Sequence, residues 1–113
     1  MTFKDTVTKQ GVQPAVWYCC GVADVIYRTH GHHLVVTSMT DSHDDRPASL
    51  HLKGLAVDFR TRDLPVDIIR TIHGELVSIL NPIGFDVVLE SNHIHAEFDP
   101  KSPAENWQRM EQV

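Results

Sequence analysis

A histidine and an aspartate, placed seven residues apart around a glycine, most constrain how this chain can fold. His51 lies in a polar stretch, Gly54 allows the backbone to turn sharply, and Asp58 lies inside an apolar run. Burying a carboxylate in an apolar strand costs free energy unless a partner neutralises it, so a bound cation would explain Asp58. The pair alone leaves a second interpretation open, in which the aspartate caps a turn and the histidine lies on the surface.

A second cluster supplies further imidazole groups. His93 and His95 are two residues apart, so in a β-strand their side chains point to the same face. Catalytic zinc sites generally use three protein ligands and leave one position for water. His51, Asp58 and His95 provide three such ligands, and His93 is a spare imidazole. We therefore predict one Zn²⁺ per chain.

The first motif reads Ser-x-His-x-x-Gly-x-Ala-x-Asp from Ser49 to Asp58, and a late His-x-His follows it. In this order the two motifs resemble the zinc D-Ala-D-Ala carboxypeptidase family, whose members cut peptidoglycan stem peptides and share their fold with the Hedgehog signalling domain. The resemblance covers roughly residues 34 to 98. It implies that His51, Asp58 and His95 are the zinc ligands and that Ser49 lies at the substrate.

The chain departs from the family pattern just before the first motif. The stretch from Val36 to Ser38 resembles the family's preceding strand, which many relatives continue with Gly-Tyr-Arg. Here the sequence continues from Met39 to Asp41 as Met-Thr-Asp, so the arginine that the family uses near its substrate is missing from its place. We expect Arg46, in the loop that follows, to bind a substrate carboxylate instead.

Hydrophobic periodicity predicts three helices and four strands. One helix with an apolar stripe begins at Pro14 and ends before Gly31, and it carries the adjacent Cys19 and Cys20 as reduced thiols. The other elements are helices at 66–80 and Pro103–Gln112, the latter anchored by Trp107, and strands near 34–40, 55–60, 85–90 and 93–98. The predicted fold class is α+β, with a small, mostly antiparallel sheet, helices on one face and a zinc cleft on the other.

The last two predicted strands are separated by only Ser91 and Asn92, which is short enough for a tight antiparallel hairpin. Residues that flank such a turn face each other about 5 Å apart at Cβ. Glu90 would then stand beside His93, with His95 on the same side. We predict that Glu90 takes a proton from the attacking water and gives it to the leaving amine, while His93 donates to the developing oxyanion. The alternative is that Glu90 is an exposed turn residue.

Length, composition and charge limit the classes of protein to which this chain can belong. The chain of 113 residues suits a single domain (1–113), and 42% hydrophobic with 22% charged residues is typical of a soluble globular protein. A net charge of −5 without a basic stripe argues against nucleic acid as a partner. The chain shows no secretory signal and no membrane-spanning stretch, so we expect it to be cytoplasmic as synthesised and to reach a cell wall only after release. We also expect a monomer.

The resemblance implies a zinc-dependent peptidase that hydrolyses peptidoglycan stem peptides, either a D-Ala-D-Ala carboxypeptidase or a related endopeptidase. A small D-amino-acid peptide is the alternative substrate. A phage or prophage lytic role would provide the route by which a wall hydrolase without a signal leaves the cell. Two other classes stay open: a non-catalytic zinc-binding domain of the same fold, and a structural or assembly protein of a phage particle. Metal content and peptide turnover would separate the three.

Overall fold

Two amphipathic helices pack against one face of a five-stranded sheet. The computed structural model describes residues 1–41 and 50–99. In chain order the elements are β1 (Thr2–Phe3), α1 (Pro14–Thr29), β2 (Val35–Ser38), β3 (Ala56–Arg60), α2 (Val66–Leu80), a 3₁₀ turn (Asn81–Ile83), β4 (Phe85–Leu89) and β5 (His93–Phe98). None of the described helices is both long and apolar enough to cross a membrane.

The sheet has the strand order β1-β2-β3-β5-β4, so the last of the described strands lies between β3 and β4. Strands β1 and β2 run parallel, and the other neighbouring strands run antiparallel. The α+β class and the mostly antiparallel sheet are therefore confirmed. Strand β1 was not predicted, because two residues are too few to show an alternating pattern.

The ends of the elements follow local signals. Pro14 occupies the first turn of α1, and Gly31 follows its last residues with a left-handed φ of 78°, which suits glycine. Helix α2 has the predicted bounds. Strand β2 ends two residues earlier than predicted, because the Asp41 carboxylate accepts a hydrogen bond from the Met39 backbone N–H (2.8 Å). A short side chain that accepts a hydrogen bond from the backbone two residues away favours a turn over a continued strand.

The hydrophobic core lies between the helices and one face of the sheet. On β3, Val57 and Phe59 are fully buried in this core, whereas Asp58 lies on the opposite face, as period-two alternation predicts. Cys19 and Cys20 are buried free thiols within the same core. Burial raises the pKa of Cys20 to about 12, so its thiol stays protonated. The helices therefore cover one face and leave the polar face for a site.

Some predicted features fall outside the described residues. These are Arg46 and Ser49 as substrate-binding residues, and the helix of residues 103–112 with Trp107. They stay predictions.

Candidate metal centre

Three segments bring His51, Asp58 and His95 together on the polar face of the sheet. Strand β3 carries Asp58 and strand β5 carries His95, and the two residues are direct partners in the antiparallel register. His51 comes from the turn that leads into β3. The structure thus groups the three predicted ligands, each offering one atom within 4.8 Å of the others. His30, His32 and His33 also lie close together in the sequence, but among the described residues they belong to no group of three possible ligands.

The turn that presents His51 depends on Gly54. Its backbone N–H donates to the His51 carbonyl (3.0 Å), and its φ of 73° lies in the left-handed region. A Cβ added here would lie only 1.9 Å from the Gly11 carbonyl oxygen, because the segment before α1 crosses directly over the turn. Gln13 N–H closes this contact by donating to the Gly54 carbonyl (2.9 Å). The glycine of the motif is therefore required both by conformation and by close packing.

The Asp58 carboxylate is the centre of the group. Its Oδ1 atom lies 2.8 Å from Nδ1 of His95, 3.3 Å from Nε2 of His51 and 3.8 Å from Nε2 of His93. The three candidate ligands have largely enclosed side chains, with exposed fractions of 16% for Asp58, 19% for His95 and 10% for His51. Three imidazole rings thus face one carboxylate oxygen.

A backbone carbonyl determines which nitrogen of His51 faces Asp58. Nδ1–H of His51 donates to the Met39 carbonyl (2.7 Å), so Nε2 is the nitrogen that points toward the carboxylate. The Met39 residue is itself held by Asp41, whose Oδ1 accepts from the N–H groups of Met39 (2.8 Å) and Thr8 (3.1 Å). Asp41 therefore supports the His51 side of the centre.

The spacing of these atoms suits a metal ion. In a tetrahedral centre with ligand bonds of about 2.0 to 2.1 Å, neighbouring ligand atoms lie about 3.3 Å apart. The His51–Asp58 separation of 3.3 Å meets that requirement, and the His95–Asp58 separation of 2.8 Å is that of a hydrogen bond. Two imidazoles and one carboxylate form a donor set typical of transition metals. The His95–Asp58 pair would need a shift of about half an ångström to reach the tetrahedral spacing, and the three ligand atoms all lie within 4.8 Å of one another.

The same contacts perturb the proton affinities. Although burial raises the pKa of Asp58, hydrogen bonds from His51 and His95 outweigh it and hold the pKa well below its usual range. The hydrogen bond to Asp58 raises the pKa of His95. Burial lowers the pKa of His51, but its contact with Asp58 dominates and leaves that pKa raised. The carboxylate thus stabilises the protonated form of both imidazoles.

Glu90 and His93 lie at the edge of this centre. The Glu90 N–H donates to the His93 carbonyl (2.9 Å), which continues the β4–β5 ladder and confirms the predicted two-residue turn. The Glu90 side chain is exposed, and it forms no ion pair with another described residue. Nδ1 of His93 contacts Oδ1 of Asn92 at 2.6 Å. The catalytic roles of Glu90 and His93 stay predictions.

Two further residues near the centre were not singled out as site residues from the sequence. Glu97 follows His95 on the same face of β5, and its Oε1 lies 2.9 Å from Nε2 of that histidine. Arg60 is the direct strand partner of His93 and forms no ion pair within residues 1–41 and 50–99. Period-two spacing places Glu97 on the face of His95 and Arg60 on the face of Asp58, but it does not indicate which contacts the two side chains form.

No family model, curated protein or solved structure matches this chain. Its function must therefore be inferred from the geometry of the centre and from the two motifs.

Proposed function

We propose that this protein is a zinc-dependent peptidase that hydrolyses peptidoglycan stem peptides. The convergence of His51, Asp58 and His95 on one enclosed point is the observation that carries the proposal. Two imidazoles with one carboxylate are a donor set of catalytic zinc sites, which keep a fourth position for water or substrate. The resemblance of both motifs to the D-Ala-D-Ala carboxypeptidase family supports the substrate class.

Bound Zn²⁺ would polarise the scissile carbonyl and lower the pKa of water from ~16 toward ~7. His51 would bind it through Nε2, the nitrogen left over by the Met39 carbonyl, and Asp58 through Oδ1. His95 would use Nδ1, which faces Asp58. Each ligand atom thus already points toward the same space.

The proton transfers would fall to side chains at the edge of the centre. Glu90 takes a proton from the attacking water as the water oxygen adds to the carbonyl carbon. It then gives that proton to the nitrogen of the leaving amine as the C–N bond breaks. His93 donates a hydrogen bond to the carbonyl oxygen as that oxygen gains charge. Glu90 suits this role because it lies opposite His93 across the hairpin and is accessible to water.

A non-catalytic zinc-binding domain is the second candidate. The observation in its favour is that the exposed Glu90 carboxylate makes no ion pair with the described histidines. In such a domain, the three ligands would bind zinc, and replacing Glu90 would change nothing that can be measured.

Purified, zinc-loaded protein should be incubated with isolated muropeptides, and the products identified by mass spectrometry. We expect a stem-peptide bond to be cleaved by the parent and by Glu75→Gln, a control on α2 whose partner is His30. Glu90→Gln should keep its zinc and lose at least the ~10²-fold in rate that a general base contributes. His51→Ala should lose both zinc and activity.

Each result separates the two candidates. Stoichiometric zinc without cleavage of any muropeptide by the parent would favour the non-catalytic domain. Cleavage by Glu90→Gln at the parental rate would show that another group is the base.

A further inference from the structure

We propose that Glu97 is a positioning residue for His95, which it holds by accepting a hydrogen bond from Nε2–H so that Nδ1 is the nitrogen that binds the metal. The inference rests on the metal-binding part of the proposed function and not on peptidase activity. It concerns a residue that belongs to neither sequence motif.

The geometry places Glu97 behind the ligand. His95 and Glu97 are two residues apart on β5, so both side chains lie on the polar face. Nδ1 of His95 lies 2.8 Å from Asp58, and Nε2 lies 2.9 Å from Oε1 of Glu97. Because each ring nitrogen contacts a different carboxylate, the imidazole can neither flip nor rotate without losing one of the two contacts.

The surroundings of Glu97 favour this contact over others. Its side chain is 27% exposed, and His95 is 19% exposed, so water competes only partly for the hydrogen bond. Two acidic neighbours, Asp86, which is its direct partner on β4, and Asp99, have carboxylates within 4.8 Å of Glu97. Within the described part of the chain, Glu97 forms no ion pair with lysine or arginine. The imidazole N–H is thus the favourable donor for a carboxylate that has acidic neighbours.

Metal-binding histidines commonly donate their second N–H to a carboxylate, which orients the ring and makes the bound nitrogen a better ligand. The Met39 carbonyl already performs this task for His51. If Glu97 does the same for His95, both imidazoles of the centre are oriented by an acceptor on the ring nitrogen that does not bind the metal. The two supports differ in charge, since one is a neutral carbonyl and the other a carboxylate.

The test compares zinc affinities measured by competition with a chromophoric chelator. We expect Glu97→Ala to bind zinc 10- to 100-fold more weakly than the parent, as is typical when such a supporting carboxylate is removed. Glu97→Gln keeps an oxygen acceptor and should recover most of that loss. Asp86→Asn is the matched control, because it removes a neighbouring charge without a contact to His95, and its affinity should stay within about threefold of the parent. Nitrogen NMR of the zinc-loaded parent should show Nδ1 of His95 bound and Nε2 protonated.

Several results would overturn the proposal. An unchanged zinc affinity in Glu97→Ala would show that Glu97 does not position His95. The proposal of peptidase activity would still stand after that result. Equal losses in Glu97→Gln and Glu97→Ala, with Nε2 of His95 bound to zinc, would show that Glu97 is a ligand itself. Equal losses in Asp86→Asn and Glu97→Ala would reduce the effect to general charge. A parent that binds no zinc would refute both this inference and the proposed function.

Discussion

Replacing Asp58 by asparagine should destabilise the metal-free protein in acid and hardly at all in base. The side chain keeps its shape and one acceptor oxygen but loses its charge. In the parent, Oδ1 accepts a hydrogen bond from His95 (2.8 Å) and forms an ion pair with His51 (3.3 Å), and both histidines have raised pKa values. A group with a raised pKa stabilises the fold fully below its ordinary value of about 6.5 and loses that contribution as the pH rises through the folded-state pKa. Asp58, with its lowered pKa, is ionised throughout this range.

The magnitude follows from the two contacts. A hydrogen bond between charged groups stabilises by about 1.5 to 3 kcal/mol and a neutral one by about 0.5 to 1.5 kcal/mol, so Asp58→Asn loses about 1 to 1.5 kcal/mol at His95 and at most as much at the longer ion pair with His51. The free energy of unfolding at pH 5.5 should therefore fall by about 1 to 3 kcal/mol. For a domain of this size, that corresponds to a decrease in Tm of about 5 to 20 °C. At pH 9, where the imidazoles are neutral, the loss should be less than about 1 kcal/mol.

Thermal unfolding in the presence of a chelator measures this difference at both pH values. Asp63→Asn is a suitable control, because that side chain is 74% exposed and far less constrained. Adding zinc at 100 times Kd at neutral pH should stabilise the parent by about 2.7 kcal/mol and leave Asp58→Asn unchanged. An equal loss of Tm at pH 5.5 and pH 9 would refute the pairing of the carboxylate with protonated histidines.

Three further perturbations test other parts of the structure. Gly54→Ala should be strongly destabilising, because its Cβ would meet a backbone oxygen at 1.9 Å. Gly31→Ala has open space around the new Cβ, so its free energy of unfolding should fall only by the ~1 to 2 kcal/mol that a left-handed backbone costs. Urea unfolding of both variants measures the difference. Zinc affinity should rise with pH from 5.5 to 8, because binding must displace protons from His51 and His95, and titration calorimetry in buffers of different ionisation heat should detect their release. Cys20 should resist iodoacetamide in the native protein and react after unfolding, since burial raises its pKa to about 12; rapid alkylation at pH 8 would contradict its position in the core.

Much of the fold could be predicted because its signals are local. The apolar stripe and the proline of α1 predicted its bounds, and the alternation in β3 predicted that Asp58 faces away from Val57 and Phe59. Each signal depends on a few consecutive residues, whose spacing determines which side of an element is apolar. The hairpin was predictable for the same reason, since only two residues separate its strands.

The site was predictable in its residue types and only partly in its connections. Histidines and an aspartate inside apolar or turn-rich stretches indicated a metal centre. Glu97 was missed because nothing in the sequence distinguishes a carboxylate that supports a ligand from one exposed to solvent; the 2.9 Å contact with His95 appears only when the strand is folded. The role of Asp41 at Met39 and Thr8 was also hidden, because Thr8 is far away in the chain.

Helices α1 and α2, strands β2 to β5, the polar face of the sheet and the residue types of the candidate site could be predicted from the sequence, since these depend on periodicity and on the cost of burying charge. The position of β5 between β3 and β4, with His95 directly opposite Asp58, is a property of the folded chain. A shift of one residue in that register would turn His95 to the other face. Packing of the whole core selects the register, because Phe59 and Ile94 must be buried together, and no local pattern contains that requirement.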